Sequence, residues 1–194
     1  MSRLFVPASL ALLLIAGTYA FAAANAASEV EIRGLHLCCG NCVSIITSAL
    51  EDIEGVSELA VDRGGGSATF KAADEKAIAA ALKAVADDAG MYGTLLVNGK
   101  EVQFPNEAVK KGTEAVKFKF ESVHLCCRAC TNGVVRALEN DETIGKIACD
   151  QNEWTVTVEA KGGKMLDVAA VQAAINKAGF FARAAKEDTP KPKQ

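Results

Sequence analysis

The sequence predicts an α+β protein built from two tandem βαββαβ units. Three observations predict it. The pattern His-Leu-Cys-Cys-x-x-Cys occurs at 36–42 and again at 124–130, each position 88 residues from its partner. A chain of 194 residues has room for two small domains around that period. Around each copy, apolar residues change between strand alternation and helical spacing in the same order.

In the first unit, Glu29-Val30-Glu31-Ile32-Arg33 alternates and sets Val30 and Ile32 on one face of a strand. The first cysteine string follows as a loop. Val43, Ile46, Leu50 and Ile53 then recur at spacings of three, four and three, the stripe of an amphipathic helix that Glu54-Gly55 ends. Val56 to Asp62 and Ser67 to Lys71 read as strands joined through Arg63-Gly64-Gly65-Gly66. Asp74 is placed to cap a second helix that turns Ile78, Leu82, Val85 and Ala89 inward. Gly90 stops this helix, and Tyr92 to Val97 makes the last strand.

The second unit retraces that path. Val116, Phe118 and Phe120 alternate into the second string, and Val134 and Leu138 take the places of Ile46 and Leu50. Ile144 to Asp150 and Trp154 to Glu159 repeat the hairpin around Asn152-Glu153. Met165, Val168, Val171 and Ile175 mark the second helix, which Gly179 ends before Phe180-Phe181-Ala182-Arg183. Between the units, Val97-Asn98-Gly99-Lys100 forms a tight turn, Glu101 to Phe104 adds an edge strand, and Pro105 to Thr113 is a polar linker.

The predicted organisation is a signal peptide over 1–26, a first domain over 29–97, a hairpin and linker over 98–114, a second domain over 115–185 and a disordered tail over 186–194. Arg3 precedes an apolar run from Leu10 to Ala24, and Ala24-Asn25-Ala26 offers small residues for cleavage after Ala26. An uncleaved membrane anchor is the alternative. No later segment is long and apolar enough to span a bilayer. The chain is therefore expected to be exported, periplasmic or extracellular, with no membrane span once the signal is removed.

Composition narrows the function. The net charge of -3 gives no basic patch, so no nucleic-acid partner is expected. No Ser/His/Asp set, phosphate-cradling glycine loop or paired-acid motif emerges, and the chain is not expected to be an enzyme. Six of the seven cysteines fall in the two strings. Thiolates this crowded repel one another unless a soft cation or a disulfide resolves them.

Cys-x-x-Cys suits metal for a physical reason. Two intervening residues let both sulfurs turn toward one point where a loop enters a helix, and the helix start favours thiolate. Soft Cu(I), Zn(II) or Hg(II) then displaces the protons. The pairs are Cys39 with Cys42 and Cys127 with Cys130. Cys38 and Cys126 stand beside them as third sulfurs for trigonal sites, with a buried strand-end cysteine as the plainer reading. Inward-facing Leu37 and Leu125 would turn His36 and His124 toward solvent, leaving them ligands only as a minor reading. Arg128 lies beside the second string alone and predicts lower thiol pKa values there. Cys149 reads as core. The two sites are expected to act separately, although the linker would also let them close over one ion.

These residues resemble the heavy-metal-associated domain, a ferredoxin-like βαββαβ sandwich found in copper metallochaperones, metal-pumping ATPases and an exported mercury-binding protein. The family's Gly-Met-Thr-Cys-x-x-Cys string places its two metal-binding cysteines on Cys39 and Cys42, then on Cys127 and Cys130. Its buried methionine falls on Leu37 and Leu125. The glycine position holds His36 or His124, and the threonine position Cys38 or Cys126. The resemblance implies an exported protein that captures soft metal ions, Cu(I) first and Zn(II) or Hg(II) as alternatives. It would buffer them or exchange them with a membrane metal transporter or another metallochaperone. Two rivals use the same features: a thiol–disulfide redox protein, and a metal-free interaction module that kept the fold.

Overall fold

The computed structural model describes residues 27–105 and 107–185. The predicted signal peptide over 1–26 and the tail over 186–194 lie outside the described residues. The first unit runs β1 (Ser28–Arg33), α1 (Gly40–Glu51), β2 (Val56–Asp62), β3 (Ser67–Ala72), α2 (Glu75–Asp87), β4 (Thr94–Val97) and β5 (Lys100–Val102). The second runs β6 (Glu114–Ala115), β7 (Lys117–Glu121), α3 (Arg128–Leu138), β8 (Ile144–Asp150), β9 (Thr155–Ala160), β10 (Leu166–Asp167), α4 (Val168–Lys177) and β11 (Arg183–Ala184).

The first sheet has the order β2-β3-β1-β4-β5 and the second β11-β7-β9-β8, both antiparallel. Without the added β5 these are the same arrangement, the ferredoxin-like order in which the first strand lies at the centre. β6 and β10 form a separate two-stranded ladder. Strand alternation sends Val30 and Ile32 of β1, and Phe118 and Phe120 of β7, into the cores. Asp74 caps α2 by accepting from the Ala77 N–H at 2.8 Å, and Asp167 caps α4 by accepting from the Ala170 N–H at 3.1 Å.

Several sequence expectations need adjustment. The buried stripe of α1 is Cys42, Ile46 and Leu50, with Val43 only half-buried. Cysteine packs as a small apolar residue, so it took the first place on the stripe. Val116 precedes β7 and is 64% exposed, and Met165 precedes α4 and is 44% exposed. The strand predicted over Glu101–Phe104 is β5, Lys100–Val102; Phe104 leaves it to pack its ring 4.9 Å from that of Tyr92. The strand predicted over Tyr92–Val97 is β4 and begins only at Thr94, because the Tyr92 N–H is engaged by the second unit.

That pairing joins the two units. Met91 forms an isolated antiparallel bridge with Phe180, its counterpart in the second unit. The Tyr92 N–H donates to the Gly179 carbonyl at 3.1 Å, and the Phe181 N–H donates to that of Gly90 at 3.0 Å. Contact between corresponding residues, returned in both directions, is what a local two-fold arrangement requires. Two glycines permit the approach. A Cβ on Gly90 would meet the Ser122 oxygen at 2.7 Å, and one on Gly179 would meet the His36 nitrogen at 2.5 Å. Both have positive φ, +63° and +90°, so glycine is required twice over.

Candidate metal centre

Each cysteine string leaves a central strand and turns into a helix. Cys39 and Cys127 occupy the N-cap positions of α1 and α3 in extended conformation, while Cys42 and Cys130 lie one turn in and are fully buried. Leu37 and Leu125 are buried beneath the strings, in the place expected of the family's apolar residue.

The two-fold contact brings the strings together. Cys38 Sγ lies 3.6 Å from Cys42 Sγ, 3.6 Å from Cys130 Sγ and 3.7 Å from Cys127 Sγ. Cys126 Sγ lies 3.7 Å from Cys42 Sγ, 3.7 Å from Cys130 Sγ and 3.9 Å from Cys39 Sγ. The Cys-x-x-Cys pairs themselves stand at 3.4 Å (Cys39 and Cys42) and 3.7 Å (Cys127 and Cys130). All six sulfurs therefore form one cluster, not the separate pair of sites expected from the sequence. All are free thiols, and Cys149 lies apart from them, half-buried on β8.

The histidines also depart from expectation. His124 is fully buried, and its Nδ1 lies 2.9 Å from the Ala89 carbonyl of the first unit. With Nδ1–H donating there, Nε2 carries the free lone pair, the tautomer that suits a metal ligand. That Nε2 is buried without a partner, and so is Nε2 of His36. His124 groups with Cys42, Cys126 and Cys130 within 4.8 Å, and His36 groups with Cys38 and Cys130 within the same distance. The leucines do point inward, but each imidazole turns onto a face that the other unit covers, His36 against Phe180 and His124 against Ala89. His36 stacks on Phe180 with ring centroids 4.3 Å apart, and His124 meets Trp154 edge-on at 5.0 Å.

Electrostatics divides the thiols into two kinds. The Cys42 amide at the start of α1 points its positive end toward the Cys39 sulfur without a hydrogen bond of standard geometry. With the Cys42 thiol it lowers the Cys39 pKa to about 7. Cys127 is lowered by the corresponding amide of Cys130. Burial pushes Cys126 up to about 12 and raises Cys38 and Cys130 as well. The expected advantage of the second string is not found: Arg128 is exposed, its charge is screened, and the helix start, which both strings share, sets the effect. Burial holds His124 neutral, with its pKa lowered to about 4, and lowers His36 too.

The arrangement offers soft sulfur donors, two of them predisposed to ionise, around neutral imidazoles. It can bind thiophilic cations and exchange them through the exposed Cys38. Residues 29–90 match the family described as the heavy-metal-associated domain. The match falls within the first unit, and the second unit repeats the same ferredoxin-like strand order.

Among solved structures, the chain is similar to the HMA domain of a copper chaperone for superoxide dismutase (apo form), at 17% identity and a TM-score of 0.33. That match covers 49% of this chain and 91% of the other. It is also similar to the N-terminal soluble domains of Bacillus subtilis CopA, at 19% identity and a TM-score of 0.31, covering 84% and 96%. A second structure of the water-soluble region of that P-type ATPase gives 20% identity and a TM-score of 0.31, covering 85% and 96%. Among curated proteins, none matches the chain. No helix among the described residues is long and apolar enough to cross a membrane.

The convergence of the two strings was only the alternative reading of the sequence, and the burial of the histidines was not anticipated. One signal bore on both. Gly90 and Gly179 occupy corresponding places beside Met91-Tyr92 and Phe180-Phe181, a matched pair of close-approach sites.

Proposed function

We propose that this chain captures soft metal ions outside the cytosol through Cys38, Cys39, Cys42, Cys126, Cys127 and Cys130. Cu(I) is the favoured ion, with Hg(II) and Zn(II) as alternatives. Removal of residues 1–26 would release the protein to the periplasm or the exterior. There it would buffer the ion or pass it to a membrane metal transporter or another metallochaperone, without catalysing a reaction. One observation carries the reading: six free thiols, drawn from two units, converge with Sγ separations of 3.4–3.9 Å. The heavy-metal-associated match over 29–90 supports it.

A second reading has its own support. Cys39, lowered to about 7 and 3.4 Å from Cys42, has the makings of a thiol–disulfide nucleophile and its resolving partner. Anaerobic purification with elemental analysis, followed by an insulin-reduction assay, separates the two. Stoichiometric copper without reductase activity is expected for capture; reductase activity from a metal-free protein would reverse the assignment.

A further inference from the structure

The extra cysteine of each string does not serve its own unit best. Cys38 and Cys39 are neighbours, and Cys39 is extended (φ -146°, ψ 171°), so their side chains leave the backbone on opposite sides. The same holds for Cys126 beside extended Cys127 (φ -160°, ψ 172°). Cys38 thereby reaches the other unit, 3.7 Å from Cys127 and 3.6 Å from Cys130, which are themselves 3.7 Å apart. By the local two-fold, Cys126 reaches Cys42 at 3.7 Å and Cys39 at 3.9 Å, across the 3.4 Å pair. These are two closed triangles of sulfur.

From this geometry, and resting on the capture reading above, we infer that the chain binds two soft cations at trigonal thiolate sites completed in trans. One site is Cys127, Cys130 and Cys38; the other is Cys39, Cys42 and Cys126. A metal–sulfur length of about 2.3 Å gives a trigonal site with edges of about 4.0 Å, so the triangle edges of 3.6–3.9 Å open by less than about half an ångström and the 3.4 Å edge between Cys39 and Cys42 by about 0.6 Å. The triangles share a boundary: Cys38, Cys42, Cys126 and Cys130 form a four-sulfur ring with sides of 3.6, 3.7, 3.7 and 3.6 Å. The fully buried and unpartnered Nε2 of His124, beside Cys42, Cys126 and Cys130, is an independent sign that the ring accepts a cation.

The arrangement has a consequence for function. An ion at either site links both units, so loading fastens the two-fold contact and release requires the units to part. The chain would hold its cargo more tightly than either unit alone. The same-unit trio Cys38, Cys39 and Cys42 also lies within 4.8 Å, so the test must separate cis from trans.

The test uses the full chain, reduced and anaerobic, loaded with Cu(I) supplied as its acetonitrile complex and examined by copper-edge X-ray absorption. The unmodified chain should retain two coppers with three sulfurs each. The double variant C39S/C42S should keep one copper with three sulfurs. Adding C38S to it should lower the count to two, whereas adding C126S should leave three. The reverse pattern, or two sulfurs per copper in the unmodified chain, would overturn sharing in trans while leaving metal capture intact. Failure of the unmodified chain to retain any copper would instead defeat the capture reading itself. Because the sulfur count of the unmodified chain needs no substitution, a variant that fails to fold does not protect the inference.

Discussion

Cys39 and Cys126 carry the same thiol into opposite surroundings. The first meets the positive start of α1, which lowers its pKa to about 7; the second is desolvated beside it and is pushed up to about 12. A thiolate is the reacting species, so Cys39 should alkylate with a half-maximal rate near pH 7 and Cys126 only in strong base. Peptide-resolved iodoacetamide labelling of the reduced protein measures this, and indistinguishable pH profiles would contradict it. His124 gives a second prediction. Its folded pKa of about 4 lies below the ordinary 6.5, so protons bind the unfolded chain first. The stability this neutral imidazole contributes is intact above about pH 6.5 and is lost as the pH falls through about 4. H124Q should flatten that part of the acid-denaturation curve; an unchanged curve would count against it. At this scale the sequence revealed which atoms are sulfur or imidazole but not where they point. Leu125 was read correctly as buried, yet the surface opposite it belongs to the other unit and not to water.

The elements were legible where apolar spacing is regular. α2, capped by Asp74, and β8 over Ile144–Asp150 follow directly from it. Errors arose where an apolar residue serves no core, as with exposed Val116 and Met165, or where a cysteine packs as one, as with Cys42. The connections made by helix ends lay further from sequence reasoning, because they depend on backbone approach. Gly179 lets the end of α4 touch the segment from Gly34 to His36. G179A forces a Cβ into backbone at 2.5 Å and into a left-handed conformation. A loss of about 1–3 kcal/mol is expected in urea denaturation, together with reduced copper capacity. G40A, which has open space around its Cβ, should change neither by more than about 0.5 kcal/mol. Equal behaviour of the two variants would contradict the account. F180A removes a fully buried ring from the same contact, beside His36, and should cost about 3–5 kcal/mol by the same measurement.

For the whole molecule, duplication explains more than either unit. A single Cys-Cys-x-x-Cys string has three sulfurs, of which two face one way. Two strings related by a local two-fold supply six sulfurs in one cluster, in a molecule whose units are also joined by the Met91–Phe180 bridge. The repeat and its internal order were plain in the sequence. The two-fold was not, since tandem units joined by a linker can adopt many relative positions, and only tertiary contacts select one. The most direct test is a thiol count on the reduced full chain, before and after anaerobic Cu(I) loading, with the alkylated residues mapped by peptide mass. The account predicts that loading protects Cys38, Cys39, Cys42, Cys126, Cys127 and Cys130 together and leaves Cys149 as it was. Protection of one string without the other, or of neither, would contradict it.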